Sequence, residues 1–534
     1  MLMALALLES ESGMADFKGA TRTLAQAYAE GAALRPASPY IVSSAIRPST
    51  TTLAEIHRRA LVVGENLRGM GIRAGDVVAV QLPSWLEWQI ACVAIAHIGA
   101  VMLPIVSIYG AKELGFILPA SRAKLIITPD VWRKADARAV LAKCGALPDL
   151  KGHVVVGVAG EGTIPWARLE RPIEPGSAAP RTPDDVAVLI YTSGTTADPK
   201  GVQHSARTIL SELEAVTHLR HGLAEVNLNP WPPGHVAGAW QMFRYLALGL
   251  PLVAMDMWEP GEAAMLIERH RVSACSFTPF TLSGLIEAAE RQGRDLSSLK
   301  SCLVGAAPVP PTLIERCAAH GLRTVRCYGS SEHPTVTVGF PDDPLEKRLA
   351  TEGRPMLGIE MRFIDEEGRD VPDGQSGEIA TRGPDRFIGY TDPDLNAKAF
   401  LPGGWFLTGD VGRLDADGFL LITDRKKDII IRAGENISSR EVEDVLFSYP
   451  GISEAAVVAA PDLRMGEVVC AFVIARPGAE VTLDGIAAHF EAAGIARQKT
   501  PERLVLVDDL PRNSTGKVLK QQLRAMAHGQ EQAA

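Results

Sequence analysis

From Tyr191 to Gly201 the chain reads Tyr-Thr-Ser-Gly-Thr-Thr-Ala-Asp-Pro-Lys-Gly, directly after the apolar run at residues 185–192. Hydroxyls and glycines that follow a strand turn backbone N–H groups, side-chain O–H groups and a lysine toward phosphate oxygens. The loop is not a Walker A loop, because Gly-x4-Gly-Lys-Ser/Thr cannot be laid on it. Composition alone would read it as a surface turn, so its meaning depends on what else the chain carries.

Four further stretches follow it in order. They are Gly305-Ala-Ala-Pro308 with Tyr328-Gly-Ser-Ser-Glu332; Gly404-Trp-Phe-Leu-Thr-Gly-Asp410; Asp424-Arg-Lys-Lys-Asp428 with Gly434-Glu-Asn-Ile437; and Pro511-Arg-Asn-Ser-Thr-Gly-Lys517. Any one is weak; five in this order and spacing are specific. On them the chain resembles the adenylate-forming superfamily of acyl-CoA synthetases, adenylation domains and luciferases, over residues 53–523.

The resemblance implies a two-step reaction. A carboxylate is a poor acyl donor, and attack on the α-phosphate of ATP converts it to an acyl-adenylate with AMP as the next leaving group. The acid is already ionised at neutral pH, so the site supplies alignment and positive charge rather than a base. By resemblance, Thr192, Ser193, Gly194, Thr195, Thr196 and Lys200 wrap the β- and γ-phosphates, and Glu332 holds Mg2+. Tyr328 and the backbone of Gly305, Ala306 and Ala307 sandwich the adenine, with Gly329, Ser330 and Ser331 beside it. Asp410 accepts from the ribose hydroxyls, and Arg425 contacts ribose and phosphate. Lys517 is the cation between carboxylate and α-phosphate. Lys427 is the hinge about which a small C-terminal domain swings, bringing in the Gly434 loop so that the thiol of coenzyme A attacks the acyl carbonyl.

The stretch Trp231-Pro-Pro-Gly-His-Val-Ala-Gly-Ala-Trp240 takes the position of the gate between acid and thiol sites, with His235 as the matching residue. By family position the acyl wall draws on Gly238, Trp240, Gln241, Ala306, Gly329, Ser330 and Thr335. These are small or uncharged, and no carboxylate can be placed among them to pair with an ammonium group. That favours an apolar acyl chain or ring over an amino acid. Residues 81–118 look like the branch of fatty-acid and cyclohexanecarboxylate CoA ligases. The expected activity is therefore an AMP-forming carboxylic acid:CoA ligase on fatty or alicyclic acids. The alternatives are a ligase that loads a carrier protein and a non-catalytic nucleotide-binding relative. Four residues depart from the family pattern: Ala197 replaces a loop glycine, Ser331 a threonine, Asp424 a glycine and Ser439 a proline.

The elements that must position these residues are legible as alternating short apolar runs and helix-period stretches. Runs at 76–82, 123–129, 185–192, 272–279 and 301–308 alternate with helical patterns such as 52–71 and 262–271. That alternation predicts an α/β fold of mostly parallel, doubly wound sheets. Around residues 350–423 the character changes to short strands with Gly, Asp and Pro turns, predicting a small antiparallel, barrel-like part. The expected organisation is a nucleotide-binding portion at 14–423, a hinge and linker at 424–439, a small mobile α+β cap at 440–527 and a polar tail at 528–534. Residues 1–13 read as an over-extended start before Met14.

Composition narrows the rest. The 534 residues carry a net charge of −9 with 46% hydrophobic positions. This disfavours both disorder and non-specific nucleic-acid binding. Seven scattered cysteines without a CxxC pair fit a reducing cytoplasm rather than a disulfide framework. The longest apolar stretch, residues 90–106, is broken by His97 and Pro104 and reads as a buried helix and strand, not a membrane span. The implied partners are a small carboxylic acid, ATP and coenzyme A, with room left for a homodimer.

Overall fold

Short apolar strands with no polar face must be covered on both sides, and helices do this here. The computed structural model describes residues 20–192, 199–218, 226–513 and 516–530. The proposed start, residues 1–13, lies outside them. A nine-stranded sheet runs in the order Arg354–Pro355, Thr337–Val338, Thr324–Tyr328, Ser301–Val304, Ala274–Phe277, Asn227–Asn229, Leu252–Met255, Pro39–Ser43 and Ser49–Thr52. An eight-stranded sheet is built around the parallel strands Val101–Pro104, Val77–Val80, Leu125–Pro129 and Gly152–Val156.

The helices between these sheets are long and capped where the sequence allows. Leu53–Gly69 starts at Thr52, whose hydroxyl accepts from the Glu55 N–H, and buries Leu53, Ile56, Ala60, Val63 and Leu67 at helical spacing. Leu86–His97 is buried all round. It is followed by the strand Val101–Pro104, which is why the apolar stretch at 90–106 belongs to the core.

The antiparallel part is also found. Glu360–Ile364, Gly377–Arg382, Trp405–Leu414 and Leu420–Arg425 pair antiparallel in sequence. Beyond Arg425 comes a three-residue 3-10 turn, Lys426–Asp428, and then the small C-terminal sheet. There Ile452–Asp462 and Gly466–Ala475 form a long antiparallel pair, with Arg503–Leu506 parallel to the second strand. Period-2 alternation sends Val457, Val469 and Val473 to one face and Val458, Cys470 and Phe472 to the other, and each face has its own core. The last helix, Lys520–Gln530, continues past His528, where the sequence alone placed a tail. None of the seven cysteines is in a disulfide, and no described helix is long and apolar enough to cross a membrane.

The small C-terminal sheet docks on the larger part through buried polar contacts. Arg440 donates to Glu352 at 2.8 Å, and Arg326 lies 3.6 Å from the same carboxylate. Two of the unusual residues meet here. The Ser439 N–H donates to Asp424 Oδ2 at 2.7 Å, and the Ser439 hydroxyl accepts from Lys520 Nζ at 3.0 Å. A proline at 439 would have no N–H and a glycine at 424 no carboxylate, so the two departures from the family pattern compensate each other. Both residues are buried.

Ser439→Pro tests this contact cleanly, because Ser439 is the first residue of the helix Ser439–Phe447 and proline is tolerated there. Losing the donor to a buried carboxylate costs about 1–3 kcal/mol. Trypsin should cut at Lys426, Lys427 and Arg432 several-fold faster than in the unaltered protein. An unchanged cleavage rate would show that docking does not depend on this bond.

Candidate active site

Strand ends from three sheets and four residues of the small domain, Asn513, Lys517, Val518 and Leu519, open into one cavity of about 870 Å³. At one end Val186–Thr192 pairs antiparallel with Lys200–Ser205, and Thr192 stands opposite Lys200. Ser193, Gly194, Thr195, Thr196 and Ala197 lie outside the described residues. The Lys200 ammonium stands 5.3 Å from the centre of the Tyr390 ring, and the Tyr390 hydroxyl donates to Glu332 Oε1 at 2.8 Å. A cation, a phenol and a carboxylate therefore meet where Gly389–Tyr390 joins the sheet.

The loop carrying Glu332 is tightly closed. A Cβ on Gly329 would stand 1.9 Å from the Pro334 carbonyl oxygen, so only glycine fits that position. Ser330 Oγ accepts from the N–H groups of Glu332 and His333, and Ser331 O faces His204 Nε2 at 2.8 Å. Phe387 N–H donates to Glu332 O. Ala306, also in the cavity wall, holds φ +63, a left-handed conformation that alanine rarely adopts.

Asp410 lies just behind the wall. Its Oδ2 accepts from the Tyr328 hydroxyl at 2.8 Å and its Oδ1 from Arg425 Nε at 2.5 Å. Asp410 and Arg425 are cross-strand partners, so the pairing is set by sheet register. Arg425 itself lines the cavity, together with Lys427 and Lys517. The turn before Lys517 is closed by Asn513, whose side chain accepts the Lys517 N–H at 3.0 Å. Burial, with Arg425 nearby, pushes the Lys517 ammonium down to about 8. Burial and the same arginine do likewise to Lys427.

His235 caps the helix Val236–Leu248 with Nδ1, which accepts the Ala237 N–H, so the ring proton is on Nε2. The ring stacks on Trp231 at 5.5 Å and 15°, and Trp231 Nε1 is anchored on Ser276. Burial, and then the charge of Lys517, push the imidazole down to about 4, so it is neutral at physiological pH.

The structure thus brings Thr192, Lys200, Gly305, Ala306, Gly329, Ser330, Ser331, Glu332, His235, Arg425, Lys427 and Lys517 to one cavity. Ala307, Tyr328 and Asp410 do not line it, and Gly434 sits away from it, exposed at the turn between Ile430–Arg432 and Glu435–Ile437. Of the expected acyl wall, Gly238 is absent because it packs against the Pro232 carbonyl. The expectation that no carboxyl stands in that wall is corrected: Glu212 lines it, with Arg244 close by. Both are buried. Glu212 interrupts the apolar stripe Ile209, Leu213, Val216 on the helix Ala206–His218, and that acid on an apolar face is the signal that could have found it.

Comparison with known proteins agrees with this geometry. The chain matches the AMP-binding enzyme family over residues 28–391 and the AMP-binding enzyme C-terminal domain over 441–517. It is 34% identical over 482 residues to a medium-chain fatty-acid–CoA ligase of Escherichia coli, covering 89% of this chain and 85% of that one. It is 35% identical over 479 residues to a Mycobacterium tuberculosis ligase named for a methyl-dioxo-octahydroindenyl propanoyl:CoA product, covering 86% and 90%. The structure of o-succinylbenzoate CoA synthetase from Bacillus subtilis in complex with its acyl-adenylate intermediate superposes with a TM-score of 0.81. That match has 26% identity and covers 95% of this chain and 98% of the other.

The histidine gives a direct check on the packing of this site. In 15N-edited NMR the His235 ring should titrate near pH 4, and Lys517→Ala should move its midpoint upward, because the lysine charge is one of the two causes of the depression. A midpoint near 6.5, the value of a solvated imidazole, would place the ring in water.

Proposed function

The chain belongs to the AMP-binding enzyme family, and from that premise we propose that this acid–thiol ligase acts on fatty or alicyclic carboxylic acids. The observation that carries the proposal is one cavity whose cationic end, Lys200, Arg425 and Lys517, runs continuously into an apolar end formed by Leu213, Val216, Trp231, Val338 and Phe340. ATP fits the first and a hydrocarbon acyl group the second. The relatives named as ligases of a medium-chain fatty acid and of a fused-ring propanoic acid support the same class.

The reaction follows from the charges. The carboxylate attacks the α-phosphorus, the bond to the bridging oxygen of pyrophosphate breaks, and the acyl-adenylate remains. Lys517 and Arg425 offset the negative charge that gathers on the phosphorus oxygens, in a site dry enough for them to act strongly. Mg2+ suits a site with a single carboxylate, since it keeps waters and substrate phosphates as its other ligands. Glu332, oriented by Tyr390, is the residue to hold it. When bound, the ion neutralises phosphate charge during pyrophosphate departure.

In the second step the thiol of coenzyme A attacks the acyl carbonyl and AMP leaves. A neutral His235, stacked on Trp231, suits a gate that turns aside for the thiol without carrying charge. For this step the small domain turns about Lys427, taking Lys517 out and bringing the Gly434 loop in. The Asp424–Ser439 bond spans that pivot and belongs to the arrangement described above.

Acid-dependent pyrophosphate release across a panel of straight-chain, alicyclic, aromatic and amino acids, with and without coenzyme A, tests the proposal. Fatty or alicyclic acids should give at least tenfold higher kcat/KM than amino acids, with CoA thioester as product; a preference for amino acids would reject it. Lys517→Ala should lower pyrophosphate release by 100-fold or more, consistent with about 2.7 kcal/mol of lost electrostatic stabilisation. Thioester formation from supplied acyl-adenylate should survive in that variant, and equal losses in both steps would reject the role. Because the free-enzyme pKa of Lys517 is lowered to about 8, its charge is lost as pH rises through that value. The kcat/KM for ATP should therefore fall above pH 8, whereas a plateau to pH 10 would show that the charge is not used.

A further inference from the structure

Beneath the loop that carries Glu332 lies a chain of buried polar side chains that the reaction itself does not touch. His333 is fully buried; its Nδ1 stands 2.9 Å from Thr381 Oγ1 and its Nε2 3.1 Å from Asp385 Oδ1. Two residues on, Thr335 Oγ1 donates to Glu212 Oε1 at 2.5 Å. Between these two links Glu212 Oε2 and Asp385 Oδ2 are both buried and neither meets a donor from another group. Asp385 is close enough to act on Glu212 both through its charge and as a hydrogen-bonding neighbour.

Two touching carboxylates cannot both be ionised away from water, whereas one proton between them satisfies both orphan oxygens. Burial, and then the charge of Asp385, hold the Glu212 carboxyl well above the usual range, so the proton resides there. The assignments then close without remainder. Thr381 O–H donates to His333 Nδ1, His333 Nε2–H to Asp385 Oδ1, Glu212 Oε2–H to Asp385 Oδ2, and Thr335 O–H to Glu212 Oε1. The charged or titratable groups that face this chain are Arg244, whose cation acts on Glu212, Arg386 beside Asp385, and His204, which burial pushes down to about 4.

We propose that Glu212 and Asp385 are positioning residues that share one proton and hold the loop that carries Glu332 at His333 and Thr335, fixing where Glu332 presents its carboxylate to the metal–nucleotide. The proposal rests on the reading of Glu332 as the residue that holds Mg2+. Asp385 is the better probe of the two, because it does not line the cavity and changing it removes no contact to a bound ligand.

The test is calorimetric titration of ATP in the presence of Mg2+ and without acid, which reads binding rather than turnover. Asp385→Ala should weaken Mg·ATP binding at least fivefold, and Asp385→Asn, which still accepts from His333 and donates to Glu212, should recover most of it. Asp385→Glu keeps the carboxyl but lengthens the arm by one methylene; it should also weaken binding, and it serves if the alanine variant does not fold. Thioester formation from supplied acyl-adenylate, which releases AMP and involves no pyrophosphate, should fall no more than twofold in all three. The proposal is overturned if Asp385→Ala and Asp385→Glu bind Mg·ATP as the unaltered protein does. It is equally overturned if Asp385→Asn is as impaired as Asp385→Ala, since that would make the charge rather than the hydrogen bonds the active feature. A Glu332→Gln variant that binds Mg·ATP as tightly as the unaltered protein would instead overturn the reading of Glu332 on which the proposal rests.

Discussion

Arg425, Lys427 and Lys517 repel one another across a cavity from which much of the water has been removed, and the surrounding structure answers that repulsion. Desolvation pushes both lysines down to about 8, so each holds its proton less firmly than in water. Asp410 offsets part of the cost: its carboxylate grips Arg425 directly and acts on Lys517 at longer range. Asp428, with Arg524 bonded to it, does the same from the small domain. Three cations against two carboxylates leave the cluster positive, and a triphosphate is a polyanion that offsets the remaining repulsion.

That electrostatic arrangement is assembled from two bodies. Lys200 and Arg425 come from sheets of the larger part, while Lys517 arrives on the small one. The contacts that hold the small body are polar: Arg440 with Glu352 and Ser439 with Asp424. Buried polar contacts of this kind add little net stability compared with apolar packing, but each is geometrically demanding. They define one docked orientation without welding it, which suits the reopening proposed for the second step.

What was legible in the sequence was local. The strand runs at 77–80, 125–129 and 186–192 and the helix Leu53–Gly69 announce themselves because their apolar spacing is contiguous. Residues in short motifs, from Lys200 to Lys517, converge because the motifs themselves mark strand ends and turns. What was not legible depends on register and tertiary approach. Tyr390 reaches Glu332 from 58 positions away, and Asp385 reaches His333 from 52. The compensation of Asp424 by Ser439 looked like two separate irregularities until their hydrogen bond was seen. Tyr328 and Asp410, expected on the nucleotide itself, are found bonded to each other behind the wall.

Glu212 shows why a carboxyl in a binding wall does not by itself make a site for an ammonium group. A counter-charge must be ionised and must have oxygens to spare. One Glu212 oxygen is taken by Thr335, the other faces Asp385, and burial beside that second acid favours the neutral form. Arg244 is occupied as well, donating to Asn227 at 2.9 Å. The polar groups of the acyl end are thus turned toward one another, and Leu213, Val216, Trp231 and Val338 are left to meet the substrate. An acyl group that brought its own charge there would have to strip it of water with no partner in return, at a cost of several kcal/mol. On the proposed reading, the wall disfavours an amino acid through the neutrality of its acid rather than through its absence, and the apolar acid is the substrate class that the cavity supports best.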